Sequence, residues 1–589
     1  MARSTDRAAT AVVVALAAAS VVLELASFRR GLDFWDGAWT LVLAEHPGVA
    51  LDREVVTVQY LLHPVWVLVG RDVALLEAVG FGALLVTAAA AALSVSALLR
   101  AEGVEVTRRR SLLTTVVVAA STATAYVGVG RVPGYRVVAL LGALWLVVAL
   151  ARVWTTRRPA WGALAGAAGV LAFTGKPTTA AALALLLLAA LCAGRRQVLP
   201  TVACALVGAV GAGAAVLVVA GLSPAGLVRH LAGGLAVDEA AATHSSWLAM
   251  LGVAPVPARV LLVLGPLVLL PLLLALHDVR SSAVPRWPTG LATVVGVVVP
   301  VGVAVLGAWL LSAQGYGAQS AQLLLPWGLG ALGLLALAAS RAPRPPVVLT
   351  GVLVVLPWTV AVGTNTGFSA TMTQAAACWA LAVTTGLALV RARWPRTDRL
   401  AVPVALTLVT TTVLTQVLWL GDAVEGRGVL GARSTTPVLG GTLGLDRDTT
   451  ALVRGLTGAR QREHLAGRPS VDLTGFGAGY QLLLGTRPLG RASFFGTFRG
   501  ADRGAALTLG QEDRRDLCSA VVLVADPDNP LGVVPAASAV GLDPARGYRE
   551  VHRFHPSHGE PVVTALTVRV LVPDPAADGA CGGVSPGGG

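Results

Sequence analysis

Long stretches without a charged side chain recur through the first 420 or so residues, and short arginine-bearing intervals separate them. Runs able to cross ~30 Å of hydrocarbon number about thirteen, centred near residues 17, 85, 120, 144, 168, 185, 209, 267, 301, 330, 355, 382 and 410. From about Gly421 the pattern becomes that of a soluble chain. Asp446 to Ala466 reads as a helix, Cys518 to Val524 and Val562 to Val572 read as strands, and the Pro/Gly-rich residues 573–589 read as a disordered tail. The expected fold class is therefore an α-helical polytopic membrane protein with about 13 transmembrane helices in residues 1–421. A small extracytoplasmic α/β domain follows in residues 422–572.

Charge between the runs predicts the orientation. Every second connection carries arginines, among them Arg108 to Arg110, Arg157-Arg158, Arg195-Arg196, Arg280 with Arg286, Arg341 with Arg344, and Arg391 to Arg399. The positive-inside rule then puts the N-terminus in the cytoplasm of a plasma-membrane protein, although Arg29-Arg30 fall on the other side. Thirteen crossings leave the C-terminal domain outside. The first apolar run is longer than a signal-peptide core, so it is read as a retained helix. The outer connections are the long ones: residues ~27–71, with apolar stretches Trp39 to Ala44 and Tyr60 to Val69 expected to lie along the interface, and residues ~222–257.

Composition agrees with this layout. The chain has 589 residues, 55% hydrophobic and 13% charged, with a mean hydropathy of +0.72. Its net charge of +13 lies in the interspan clusters, with no basic face interleaved with aromatics, so a nucleic-acid partner is not expected. Five cysteines show no metal-ligand spacing; Cys518 and Cys581, in the outer segment, are a disulfide candidate. High Gly, Ala, Val and Arg usage fits a GC-rich genome such as an actinobacterium's.

Candidate chemistry gathers on the outer side. Asp33 and Asp36 are spaced to share a helical face in the first outer loop, where close carboxylates drive their pKa values apart and one can act as a general base. The alternative is solvation, or Asp36 capping a helix that starts at Gly37. Lys176, between Gly175 and Pro177, is the only lysine in the chain; its ammonium either binds a phosphate oxygen or snorkels to the headgroups. Arg131 and Arg136 flank Pro133-Gly134-Tyr135 and suit either a phosphate ligand or anchoring to anionic lipid. His63, His230 and His244 are acid/base or ligand candidates, each more simply a loop histidine. Glu24, Glu45 and Asp52 are further acids near this face.

The layout and three local segments resemble the GT-C superfamily of polyprenyl-phosphate-sugar-dependent glycosyltransferases, which includes arabinofuranosyltransferases, protein mannosyltransferases and aminoarabinose transferases. The segments are Phe34-Trp35-Asp36-Gly37-Ala38-Trp39, Phe173-Thr174-Gly175-Lys176-Pro177 and Gly363-Thr364-Asn365. Residues 479–488 also look like a stretch seen in such proteins. The resemblance implies that Asp36 is the base, with Asp33 as partner because Gly37 stands where many relatives carry a second acid. It further implies donor-phosphate binding by Lys176, Arg131 and Arg136, and substrate contacts from Trp35, Trp39, His63, Tyr316, Asn365 and His244. A divalent metal, if used, would sit at Asp36 and Asp33. The implied partners are a polyprenyl-phosphate sugar, a cell-envelope glycan, lipid or protein acceptor, and the bilayer. The competing readings are a transporter or flippase and a non-enzymatic wall-assembly scaffold.

Overall fold

The computed structural model describes residues 2–127, 131–194, 197–241, 324–339, 342–363, 372–393, 400–421, 434–494, 496–526, 529–557 and 561–575. In chain order the helical part comprises α1 (Ala2–Ser27), α2 (Asp36–Glu45), α3 (Val58–Leu68), α4 (Val73–Ala101) and α5 (Arg108–Ser121). It continues with α6 (Tyr135–Thr156), α7 (Gly162–Gly175), α8 (Pro177–Gly194), α9 (Val198–Ala220) and α10 (Pro224–Ala240). Then come α11 (Leu325–Ala339), α12 (Arg344–Ala361), α13 (Ala376–Arg393) and α14 (Ala401–Gly421). Among the described residues, seven of these, α1, α4, α6, α8, α9, α12 and α14, are long and apolar enough to cross a membrane. The sequence runs centred near 267 and 301, along with Tyr316, Asn365, His244 and Cys581, lie outside the described residues.

Helices satisfy their own backbone groups, so in hydrocarbon an apolar run needs only neighbours for its side chains. Burial separates the neighbours: 83% of the apolar window of α6 is buried, against 6% of that of α9. The first is therefore the centre of the bundle, and the second presents Leu199, Leu206, Val207, Val210 and Val218 outward, as a lipid-facing helix does. α7 and α9 meet backbone to backbone through small residues. A Cβ added at Gly166 would come within 1.8 Å of the Ala205 carbonyl oxygen, and one at Gly162 within 2.3 Å of that of Thr201.

The C-terminal region is α/β, with boundaries that refine the sequence reading. A hairpin of β1 (Ser434–Val438) and β2 (Gly441–Leu445) leads into α15 (Arg447–Arg462), which Asp446 caps by accepting from the Asp448 and Thr449 N–H groups. After it come β3 (Pro469–Asp472), α16 (Ala478–Leu484), β4 (Arg487–Pro488), α17 (Ala501–Leu509), α18 (Arg514–Ser519) and β5 (Val521–Ala525). The chain then forms α19 (Val534–Ala539), β6 (Tyr548–Phe554), α20 (Pro561–Thr564) and β7 (Val568–Pro573). The five-stranded sheet runs β4-β3-β5-β7-β6, parallel on the β4-β3-β5 side and antiparallel beyond. Every residue of β5, Val521-Val522-Leu523-Val524-Ala525, is buried, as a central strand covered on both faces requires. Cys518 closes α18 and is disulfide-bonded, whereas Cys192, Cys204 and Cys378 are free.

This domain sits on the connection between α1 and α4. Gly31 N–H donates to the Gly444 carbonyl at 2.8 Å, Gly440 N–H to that of Arg71 at 3.1 Å, and Gly479 N–H to that of Phe34 at 3.1 Å. The consequence corrects one expectation: residues Gly37 to Ala44 of α2 are all buried and do not lie along an exposed interface. A helix apolar on every side is an interior element, and the domain above supplies the missing wall.

Candidate functional site

The acid segment of the first connection meets the start of α6 and the α7–α8 junction at one end of the bundle. Asp36 opens α2, where the helix N-terminus favours a carboxylate; no side chain caps that end, and Trp35 occupies the cap position. Its side chain is 44% exposed, and the Arg136 guanidinium lies 3.9 Å from its Oδ2. Arg136 is itself 11% exposed, donates through Nε to the Tyr135 hydroxyl at 2.8 Å, and stands in the first turn of α6. Its charge thus adds to the positive end of that helix, a setting suited to an anion.

Lys176 is 5% exposed and stands at the junction of α7 and α8. Its Nζ donates to the carbonyls of Val360 at 2.8 Å and Ala361 at 3.2 Å, the last carbonyls of α12. The ammonium therefore closes a helix C-terminus, in addition to whatever a substrate asks of its remaining donor. Arg131 is directed elsewhere, giving hydrogen bonds to the carbonyls of Ser27 at 2.8 Å and Arg30 at 2.7 Å. Of the three cations singled out in the sequence, Arg136 is the one the structure places on Asp36.

Asp33 is 8% exposed and accepts the Trp35 N–H at 2.7 Å through Oδ1. A side chain at Gly37 would collide with it: a Cβ there would lie 2.7 Å from the Asp33 Cβ and 3.0 Å from Oδ2. The carboxyl of Asp33 thus fills the space of a residue-37 side chain. Two carboxylates beside a guanidinium make a poor cage for a divalent cation, and among the described residues no three His, Cys, Asp or Glu side chains converge.

The aromatic neighbours are structural anchors. Trp35 stacks on Phe476 at 5.9 Å, Phe34 contacts Tyr480 at 5.7 Å, and Trp39 meets Tyr135 edge-on at 6.0 Å. The stretch from residue 479, singled out in the sequence, is thereby seated on the acid segment. His63 Nδ1 lies 2.7 Å from the Ala44 carbonyl, so it ties α3 to the end of α2. Glu45 accepts from Trp66 Nε1 at 2.8 Å and Arg71 Nε at 2.9 Å. Burial pushes its carboxyl up, but these donors outweigh burial and leave it below the usual range.

Sequence reasoning missed the knot that holds this end together. Arg491, in the segment after β4, donates through Nε to Glu54 Oε1 at 2.9 Å, through Nη2 to Glu54 Oε2, and at 3.4 Å to Asp238 of α10. Glu54 also accepts from Trp39 Nε1 at 3.4 Å. Nothing local marks Glu54 or Arg491, because their meaning lies in a pairing across more than 400 residues. Comparison of the chain with protein-family models, curated proteins and solved structures gives no match.

Proposed function

We propose that the protein is an inverting GT-C-type glycosyltransferase that moves a sugar from a polyprenyl-phosphate donor to a cell-envelope acceptor on the outer side of the plasma membrane. The observation that carries the reading is the half-exposed Asp36 carboxylate at the mouth of a helical bundle with Arg136 3.9 Å away. In this reading Asp36 takes the proton of an acceptor hydroxyl as its oxygen attacks the anomeric carbon. The bond to the phosphate oxygen breaks, polyprenyl phosphate leaves with the electron pair, and Arg136 at the α6 N-terminus stabilises its charge. Lys176 is the second cation of this reading, held on the carbonyl end of α12, and Arg131 holds the end of α1. Because the two carboxylates do not form a cation cage, no step runs through a metal.

Orientation follows from charge. Arg108 to Arg110, Arg157, Arg158, Arg344 and Arg391 all fall at helix ends remote from Asp36, which supports an outer placement of the Asp36 end by the positive-inside rule. In this reading the seven long apolar helices cross the membrane, and the shorter helices α5, α7, α11 and α13 together with the sequence runs near 267 and 301 complete thirteen crossings. Purified protein incubated with a panel of radiolabelled polyprenyl-phosphate sugars and envelope acceptors tests the reading. Label transfer that Asp36→Asn abolishes is the expected result; no transfer from any donor, or transfer indifferent to D36N, rules it out.

One observation favours a second reading, a transporter or flippase. Glu24 of α1 and Glu77 of α4 are buried inside the bundle, the former hydrogen-bonded to Gln416 Nε2 at 2.8 Å. Movement of a lipid-linked substrate across proteoliposomes without transfer of its sugar would decide for it.

A further inference from the structure

The loop that carries the aromatic seat is shaped by one buried carboxylate outside the chemistry described above. Asp472 ends β3, is 0% exposed and lies opposite Leu523 of β5. Its Oδ1 accepts the Thr474 N–H at 2.9 Å and the Thr474 hydroxyl at 2.6 Å, and its Oδ2 accepts the Gly477 N–H at 2.8 Å. Three donors on two oxygens compensate a carboxylate withdrawn from water, and they fix the course of residues 473–477. Thr474 Oγ1 accepts in turn from the Phe476 N–H at 3.3 Å. Glycine is required at 477, where a Cβ would lie 2.9 Å from both Asp472 carboxyl oxygens.

What this turn presents is the surface under the acid segment. The Gly477 carbonyl accepts the Tyr480 N–H at 2.8 Å and so starts α16, whose first turn reaches Phe34. Gly479 N–H donates to the Phe34 carbonyl, and a Cβ at Gly479 would come within 2.5 Å of the Phe34 ring. Phe476, between the two residues bound to Asp472, carries the Trp35 ring stacked at 25°. Residues 34 and 35 are thus both seated on the turn that Asp472 shapes. Asp36 follows them by one peptide unit, at a helix start that no side chain caps. A shift of Phe34 and Trp35 therefore carries the Asp36 carboxylate with it, relative to an Arg136 that belongs to α6.

We propose that Asp472 is a positioning residue for Asp36: it sets the turn that seats Phe34 and Trp35, and through them it aims the Asp36 carboxylate. Its effect on turnover rests on the glycosyltransferase reading, whereas its hold on the acid segment does not, and the two are measured separately. Amide hydrogen exchange of the full-length protein in detergent, followed by mass spectrometry, reads the hold without any activity. Asp472→Asn keeps the size and the acceptor for Thr474 but turns an amide donor toward the Gly477 N–H. Exchange over residues 33–37 is expected to rise about tenfold in D472N, while β5 and α6 stay as protected as in the wild type. Thr474→Val removes only the hydroxyl donor. It is expected to give a smaller rise over the same residues, and it supplies the answer if D472N does not fold. In the transfer assay, D472N with β5 still protected is expected to lose roughly 10²-fold in kcat with the donor KM unchanged. Exchange over 33–37 that matches the wild type in the folded variants overturns the proposal. So does a wild-type kcat in a D472N chain whose acid segment has loosened. Absence of transfer by the wild-type chain counts against the glycosyltransferase reading instead, and the exchange result then decides the proposal by itself.

Discussion

Asp36 and Arg136 divide the proposed chemistry into a proton acceptor and an anion holder, and each makes a separate demand. Replacing Asp36 by Asn keeps the size and the helix start, so turnover should fall by ~10²–10⁴-fold with no change in melting temperature. Arg136→Lys retains charge but loses the planar fork and the bond to Tyr135, so donor binding should weaken more than tenfold while R136Q is worse still. Gly37 tests the steric account of the acid pair. Alanine there meets the Asp33 Cβ at 2.7 Å and should cost ~1–3 kcal/mol, read as a lower melting temperature. The nearest atom is a Cβ, so Asp33→Ala would not relieve the clash, whereas Asp33→Gly in the same chain should. The sequence displays Asp33, Gly37 and the solitary Lys176, but it cannot show what faces them. That α12 ends over Lys176 follows from packing between residues 184 apart, which no local pattern records.

Among the elements, α10 is held to the first connection by a neutral histidine. Asp52 N–H donates to His230 Nδ1 at 3.1 Å, so Nε2 carries the proton and donates to the Val56 carbonyl at 3.1 Å. Burial pushes its pKa below the ordinary value, although the Val56 carbonyl and the Asp52 and Glu54 carboxylates pull the other way. The unfolded chain therefore binds a proton more readily than the folded one. The stability linked to His230 is complete above ~6.5 and declines as pH falls toward the folded value. Melting temperatures measured in detergent between pH 8 and pH 5 should drop, and His230→Gln should flatten the profile. Helical spans were legible because an uncharged run of sufficient length has few alternatives in hydrocarbon. The burial of α2 was not, since a short, mostly apolar stretch describes an interfacial helix and an interior one equally well. What decides is the domain placed over it, contributed by residues beyond 430.

At the scale of the whole molecule, bundle and C-terminal domain are joined by Glu54, Arg491 and Asp238 and by the aromatic seat of Phe476 and Tyr480 under Phe34 and Trp35. Arg491 and Glu54 have side chains only 6% and 5% exposed, so removing one leaves the other charged and desolvated. R491A should destabilise the junction by ~3–5 kcal/mol. Limited proteolysis should then release the C-terminal domain from a bundle that remains helical, while R491A/E54A loses less than the sum of the single changes. The α/β character of that domain was readable from its strands and helix, but its seat was not, because glycines at 477 and 479 look the same in a free loop as against a partner. The seat also has a bearing on biosynthesis. Phe34 and Trp35 leave the ribosome roughly 450 residues before Phe476 and Tyr480, which at ~5–20 residues per second is a delay of about 20–90 s. Throughout that interval the nascent chain carries its acidic segment without its cover. Translation must run almost to completion before that segment has its cover, and a product cut short anywhere in the membrane region inherits the acids without the surface that arranges them.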